Sequence, residues 1–203
     1  MIDTNKLLPT RYHVPNFFAL VIGMFLCTSS YCGDWTLADL MHLLAQQKSG
    51  KASFIEKKYL AILDKPLESY GELSFEAPGR LEKRTLKPRQ EALLLDGDKL
   101  TVIMHEKRPL NLRLQDHPEL AALVEGIRGT LNGDQIALEK NYALDLSGAQ
   151  SKWQLTLTPV QKALTKVIRQ VQIGGVDANI KTITFDQVDG DHLEMTVSKV
   201  LAP

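Results

Sequence analysis

The chain has 203 residues, enough for one domain or two small ones, and its 24 Lys and Arg balance its 24 Asp and Glu. Zero net charge and an aromatic share of 6% argue against a basic stacking surface, so nucleic acid is not expected as a partner. A hydrophobic share of 44% with 24% charged residues is ordinary globular usage and excludes a disordered chain.

Residues 1–16 are polar, with Lys6 and Arg11 as their cations, and are followed by an eleven-residue apolar run, FFALVIGMFLC, at 17–27. Small and polar residues then lead to Asp34. That order predicts a secretory signal peptide over 1–32, cleaved near 30–33, with one exported domain over 33–203. A membrane span needs about twenty apolar residues, so the run is short for one; an uncleaved N-terminal anchor is the alternative. Cys27 and Cys32 both fall in or beside this segment. The body is therefore expected to lack a disulfide framework, a thiol nucleophile and a cysteine-ligated metal. Lipidation of either cysteine is disfavoured, because Leu26 and Tyr31 stand where a small residue is needed.

After Trp35, Leu37, Leu40, Met41 and Leu44 make the stripe of an amphipathic helix, capped by Asp34 or Thr36 and ended by Ser49-Gly50. Strands are predicted over 54–63, 70–75 and 81–86, with Gly71, Leu73 and Phe75 on one face of the second and a turn at Pro78-Gly79. Strands 92–95 and 100–104 flank Asp96-Gly97, a strong hairpin signal. A second helix follows Pro118, with Leu120, Leu123, Val124, Ile127 and Leu131 at helical spacing and Asn132-Gly133 as its stop. Strands over 142–146, 153–158, 167–173, 180–187 and 192–200 complete the chain, with turns at Gly174-Gly175 and Asp189-Gly190. Consecutive strands joined by tight turns run antiparallel. The predicted fold is α+β: one strongly curved antiparallel sheet, an incomplete β-barrel, with the helices across its concave face.

No catalytic constellation emerges. His42, His105, His117 and His192 share no metal-ligand spacing with one another or with acidic residues, and no H-E-x-x-H or G-x-S-x-G occurs. The carboxylate pairs Asp96/Asp98 and Asp189/Asp191 flank glycines, as hairpin turns require. Neither an enzyme nor a metal or other cofactor is expected. The local charge excess is Arg80, Lys83, Arg84, Lys87 and Arg89, read as a solvated strand face or a docking patch for an acidic partner or headgroup.

A resemblance lies between the two helices. Ser53-Phe54-Ile55-Glu56, then Gly71-Glu72-Leu73-Ser74-Phe75, Ala77-Pro78-Gly79, Pro88 and Leu93-Leu94-Leu95-Asp96-Gly97 resemble the outer-membrane lipoprotein carrier (LolA-like) family, over roughly 34–200. The resemblance implies a monomeric periplasmic carrier with a curved, incomplete barrel and helices over an apolar cavity that shields the acyl chains of lipoproteins or related lipids. It also implies an inner-membrane transporter and an outer-membrane acceptor as partners. Two departures bear on cargo and handover: Ala77 stands before Pro78, where carriers that serve the usual acceptor have Arg, and Leu81 and Lys83 stand where aromatics are common. A non-catalytic envelope scaffold or sensor of the same fold, or a carrier of another acylated or glycolipid cargo, is the alternative.

Alternation and helix stripes nominate twelve cavity residues: Phe54, Leu73, Phe75, Leu81, Leu93 and Leu95; Val102 and Met104; and Leu120, Leu123, Val124 and Ile127. Met41 and Met104 would suit an adaptable lining.

Overall fold

The computed structural model describes residues 35–104 and 107–199. The predicted signal segment, both cysteines, Asp34, His13, His105 and Val200 lie outside them. Helix α1, Leu37–Ala45, is opened by a capping box in which Thr36 Oγ1 accepts from the Asp39 amide at 3.2 Å and Asp39 Oδ2 accepts from the Thr36 amide at 2.9 Å. The Thr36 hydroxyl also donates to Asp39 Oδ2 at 2.6 Å, and this bond, with that from the Thr36 amide, holds the Asp39 carboxyl below its usual range. Leu40, Met41 and Leu44 are the buried stripe. Ser49 and Gly50, expected to end the helix, instead begin the first strand, where they pair with Glu76 and Phe75.

Among the described residues, eleven antiparallel strands form one sheet: β1 (Ser49–Tyr59), β2 (Leu67–Glu76), β3 (Arg80–Lys87), β4 (Glu91–Asp96), β5 (Lys99–Met104), β6 (Leu110–Arg113), β7 (Tyr142–Ala149), β8 (Lys152–Pro159), β9 (Ile168–Val176), β10 (Asn179–Gln187) and β11 (His192–Lys199). Spatial order is β6-β5-β4-β3-β2-β1-β11-β10-β9-β8-β7, so the first and last strands meet in the middle while β6 and β7 form the two edges. The sheet is not closed into a barrel. Helices α2 (Pro118–Asn132) and α3 (Gln135–Glu139) connect the two edge strands and lie across the inner face.

Helix α2 starts with Pro118 at its first turn, where a missing N–H costs nothing. It ends at Gly133, whose φ of 63° is left-handed and whose absent Cβ would lie 2.0 Å from the Met41 carbonyl of α1. Two short elements escaped the sequence pattern, β6 and α3. A further difference concerns Gly174 and Gly175, which lie inside β9 rather than in a turn. A Cβ on Gly175 would be 2.3 Å from Trp153 Cζ2, so the indole occupies the space a side chain would need. The turn falls two residues later, at Asp177 and Ala178.

Burial is unequal. The main core joins α1, α3 and the inner faces of β7–β11, with Leu40, Leu138, Leu155, Leu157 and Ile173 fully covered. A smaller cluster of Leu95, Leu100 and Leu114 sits under the start of α2.

Candidate ligand-binding cavity

Strand register fixes which side chains share the inner face. Phe75 pairs with Leu81 and Leu81 with Leu95; Leu73 pairs with Lys83 and Lys83 with Leu93. On the other side of β1, Met195 pairs with Ile183 and Ile183 with Ile173. Between these two walls and the underside of α2 lies a cavity of about 460 Å³. Helix α2 turns Leu120, Leu123, Val124, Ile127 and Leu131 toward it, and α1 contributes Leu44.

The roof is held along one side and at one end. On the β7 side, Tyr142 donates its hydroxyl hydrogen to the Ala122 carbonyl at 3.0 Å, and burial pushes this phenol up to about 12. Gly126 permits the approach, since a Cβ there would stand 2.9 Å from the Tyr142 hydroxyl. At its C-terminal end, Arg128 donates to the Gly97 carbonyl in the β4–β5 turn at 2.9 Å, and Asn132 donates to the Pro78 carbonyl in the β2–β3 turn at 2.8 Å. Both turns named by the sequence motif thus serve as anchor points for the helix. Asp98 and Asp191 are likewise used on backbone, accepting from Gln115 N at 3.2 Å and Ala61 N at 3.0 Å.

Nine of the twelve nominated residues border the cavity: Leu73, Phe75, Leu81, Leu93, Leu95, Leu120, Leu123, Val124 and Ile127. Three do not. Phe54 is buried in the main core, its ring lying over Gly71, where a Cβ would be 2.7 Å from Phe54 Cε1. Val102 packs against the Leu95, Leu100 and Leu114 cluster. Met104 pairs with Glu91 at the far end of the β4–β5 hairpin, beyond the lining. Sequence reasoning missed the opposite wall, which includes Ile173, Ile183, Phe185, Leu193, Met195 and Val197. Each alternates correctly within its own strand; what was missing is the long-range β1–β11 pairing that brings those strands beside β1.

The basic cluster is divided by the pleat. Arg80 and Arg84 face outward and pair with Glu76 at 3.6 Å and Glu82 at 2.6 Å. Lys87 and Arg89 are exposed. Lys83 points the other way and borders the cavity, where it forms an ion pair with Glu56 of β1. Its ammonium lies 5.1 Å from the centroid of the Phe54 ring, and Glu56 also accepts from Ser69 Oγ at 3.2 Å. The same alternation that places Leu81 inside places Lys83 inside.

A separate polar group lies on the outer face. His192 Nδ1 is 2.5 Å from Asp186 and Nε2 is 3.0 Å from Glu194, while Gln170 donates to Asp186 at 2.6 Å. Its position follows from Phe185 and Leu193, which alternate with these residues and line the cavity. The hydrogen bond to Glu194 raises the His192 pKa most, against the lowering effect of burial. Burial would raise the Asp186 carboxyl, but hydrogen bonds from Gln170 and His192 outweigh it and the net shift is downward. These contacts staple β10 to β11. Among the described residues, no three His, Cys, Asp or Glu side chains converge as metal ligands would.

A family profile described as outer membrane lipoprotein carrier protein LolA-like matches residues 30–199. The chain belongs to this family. The LolA-like chain is also similar to solved structures at low identity. A LolA superfamily protein from Nitrosomonas europaea is 12% identical with a TM-score of 0.43, over 83% of this chain and 94% of that one. A chain in the Pseudomonas aeruginosa MucA/MucB complex is 14% identical with a TM-score of 0.43, over 82% of this chain and 58% of the other. LprF from Mycobacterium bovis is 10% identical with a TM-score of 0.36, over 82% and 94% respectively. No curated protein is matched by the sequence.

Proposed function

We propose that this LolA-like chain is an exported, non-catalytic carrier that holds the acyl chains of lipoproteins or related lipids in the cavity under α2 and ferries them across the periplasm toward the outer membrane. The observation that carries this reading is the cavity itself. At about 460 Å³ it lies within the range of about 300–1,000 Å³ of small-molecule sites, and its two walls and roof are dominated by Leu, Ile, Val, Phe and Met.

Transfer energetics explain why such a space is useful. Burial is worth about 0.8 kcal/mol per methylene, so exposing a sixteen-carbon chain to water costs on the order of 12 kcal/mol. Passage through an aqueous compartment without a carrier is then negligible. The lining supplies the missing apolar surface, while a roof held at its margins by hydrogen bonds lets the chain leave without unfolding the core. An inner-membrane transporter would load the carrier and an outer-membrane acceptor would unload it. Ala77, in place of the Arg that carriers for the usual acceptor have before this proline, points to a different handover surface at the β2–β3 turn.

Mass spectrometry of protein purified without detergent tests the reading. Copurified acyl compounds at near one per protein are the expected result. A folded protein that arrives empty and takes up no acyl compound on incubation would overturn it.

A further inference from the structure

The cavity wall is mostly hydrocarbon, yet Lys83 and Glu56 both border it, with side chains only 24% and 12% exposed. Lys51, Lys181 and Glu82 border it too, but the lysines are exposed and Glu82 is paired with the outward-facing Arg84. A half-buried ion pair is expensive to desolvate and adds little stability over an apolar substitute, so its placement here asks for another role. The donors and acceptors can be followed atom by atom. One Glu56 oxygen takes the Lys83 ammonium and the other takes Ser69 Oγ. An ammonium carries three N–H donors. Among the described residues Lys83 reaches one acceptor, Glu56, with the Phe54 ring face as a second neighbour. Donor capacity therefore remains for a group inside the cavity.

We propose that this pair selects the polar group attached to the bound chain: a neutral acyl carbonyl, such as the ester of an acylglycerol, in preference to an ionised carboxylate. This deepens the carrier reading and rests on it. A carbonyl oxygen accepts from Lys83 and leaves the pair intact and neutral. A carboxylate that approached Lys83 would bring a second negative charge against Glu56 in a poorly solvated wall, and like charges there repel strongly. Lys83 thus acts as the donor, Glu56 sets the charge that the site tolerates, and Ser69 fixes the Glu56 carboxylate. Lys83, a member of the basic cluster read as a solvated face or docking patch, borders the cavity instead.

Competition against a neutral fluorescent acyl probe, below critical micelle concentrations and at a pH where laurate is ionised, tests this. Laurate, its neutral glycerol ester monolaurin and a blocked, uncharged diacylglyceryl-cysteine peptide are the three competitors. In the native protein a neutral ester is expected to displace the probe better than laurate. Glu56→Gln is expected to improve laurate relative to the esters by about tenfold, the scale of one hydrogen bond to a charged group. Adding Lys83→Met to that variant should abolish the gain, which separates charge from any change in packing. Displacement by the lipopeptide but not monolaurin assigns the acylglycerol to acylated protein, and the converse to free glycerides; either supports the rule. An ester-to-laurate ratio that Glu56→Gln leaves unchanged overturns the assignment alone. A folded protein that binds neither probe nor competitors overturns the carrier reading along with it.

Discussion

Strands β7–β9 and strands β2–β4 alternate apolar and polar residues in the same manner, yet their inner faces end differently. Leu155, Leu157 and Ile173 are fully covered, while Leu93 on β4 is 38% exposed. The largest fully buried side chains come from α1, α2, α3, β7–β9 and the turn before β9; none comes from β2–β6. The difference lies in what is laid on the sheet. Over β7–β9, α1 and α3 fill the concavity with Leu40, Leu44 and Leu138. Over β2–β4, the start of α2 packs on Leu95, and the rest of the helix roofs a space whose far wall is β9–β11. One wing is a solid platform out to its edge, and the other is the open wall of a hollow that the platform's inner strands close from the far side, built from one pattern.

Each wing can be altered on its own. Trp153→Ala removes the indole that packs on Gly175 and donates to the Asp177 carbonyl at 2.8 Å. It should cost about 3–5 kcal/mol in denaturant unfolding. Leu93→Ala, on the hollow wing, should cost less than about 1 kcal/mol, because part of that side chain is already in water. Equal losses would mean that the two wings are packed alike. Gly175→Ala places a Cβ against the same indole and should cost about 1–3 kcal/mol through overpacking.

Smaller effects are expected at the roof. Replacing Arg128 by Ala removes its bond to the Gly97 carbonyl and its ion pair with Glu125, at a cost of about 1–2 kcal/mol. Stopped-flow release of an acyl probe should quicken in that variant; unchanged release would show that the α2 latch does not limit exit. The smallest effect concerns pH. The folded His192 pKa is raised above 6.5. Its pairing with Glu194 and Asp186 therefore contributes fully below that ordinary value and is lost as pH rises through the raised one. The contribution should be below about 1 kcal/mol, and His192→Gln should flatten that part of the stability–pH curve.

Much of this architecture was legible in the chain. The α1 stripe, the Pro118 start and Gly133 stop of α2, and the Asp96-Gly97 hairpin are local signals, and each is realised within a few residues. Gly97 has a φ of 58°, which explains why that dipeptide is informative. Other features depend on partners far along the chain. Four residues of β6 carry too short a pattern to read, and they become a strand because β5 offers an edge. Gly174 and Gly175 resemble a turn until Trp153, across the β8–β9 ladder, fills the space above them. Proximity in sequence groups Lys83 with its charged neighbours, although its parity with Leu81 places it on the inner face. Phe54 was nominated on parity alone, which cannot reveal that Gly71 opposite lets the ring lie down against the sheet.

Titration with a neutral fluorescent acyl ester, followed in parallel with thermal unfolding, tests the hollow wing most directly. The expected result is saturable binding near one per protein that is lost in Leu93→Glu and Leu123→Glu, whose folds survive, and kept in a folded variant altered on the solid wing. Undiminished binding in both folded glutamate variants would contradict the account.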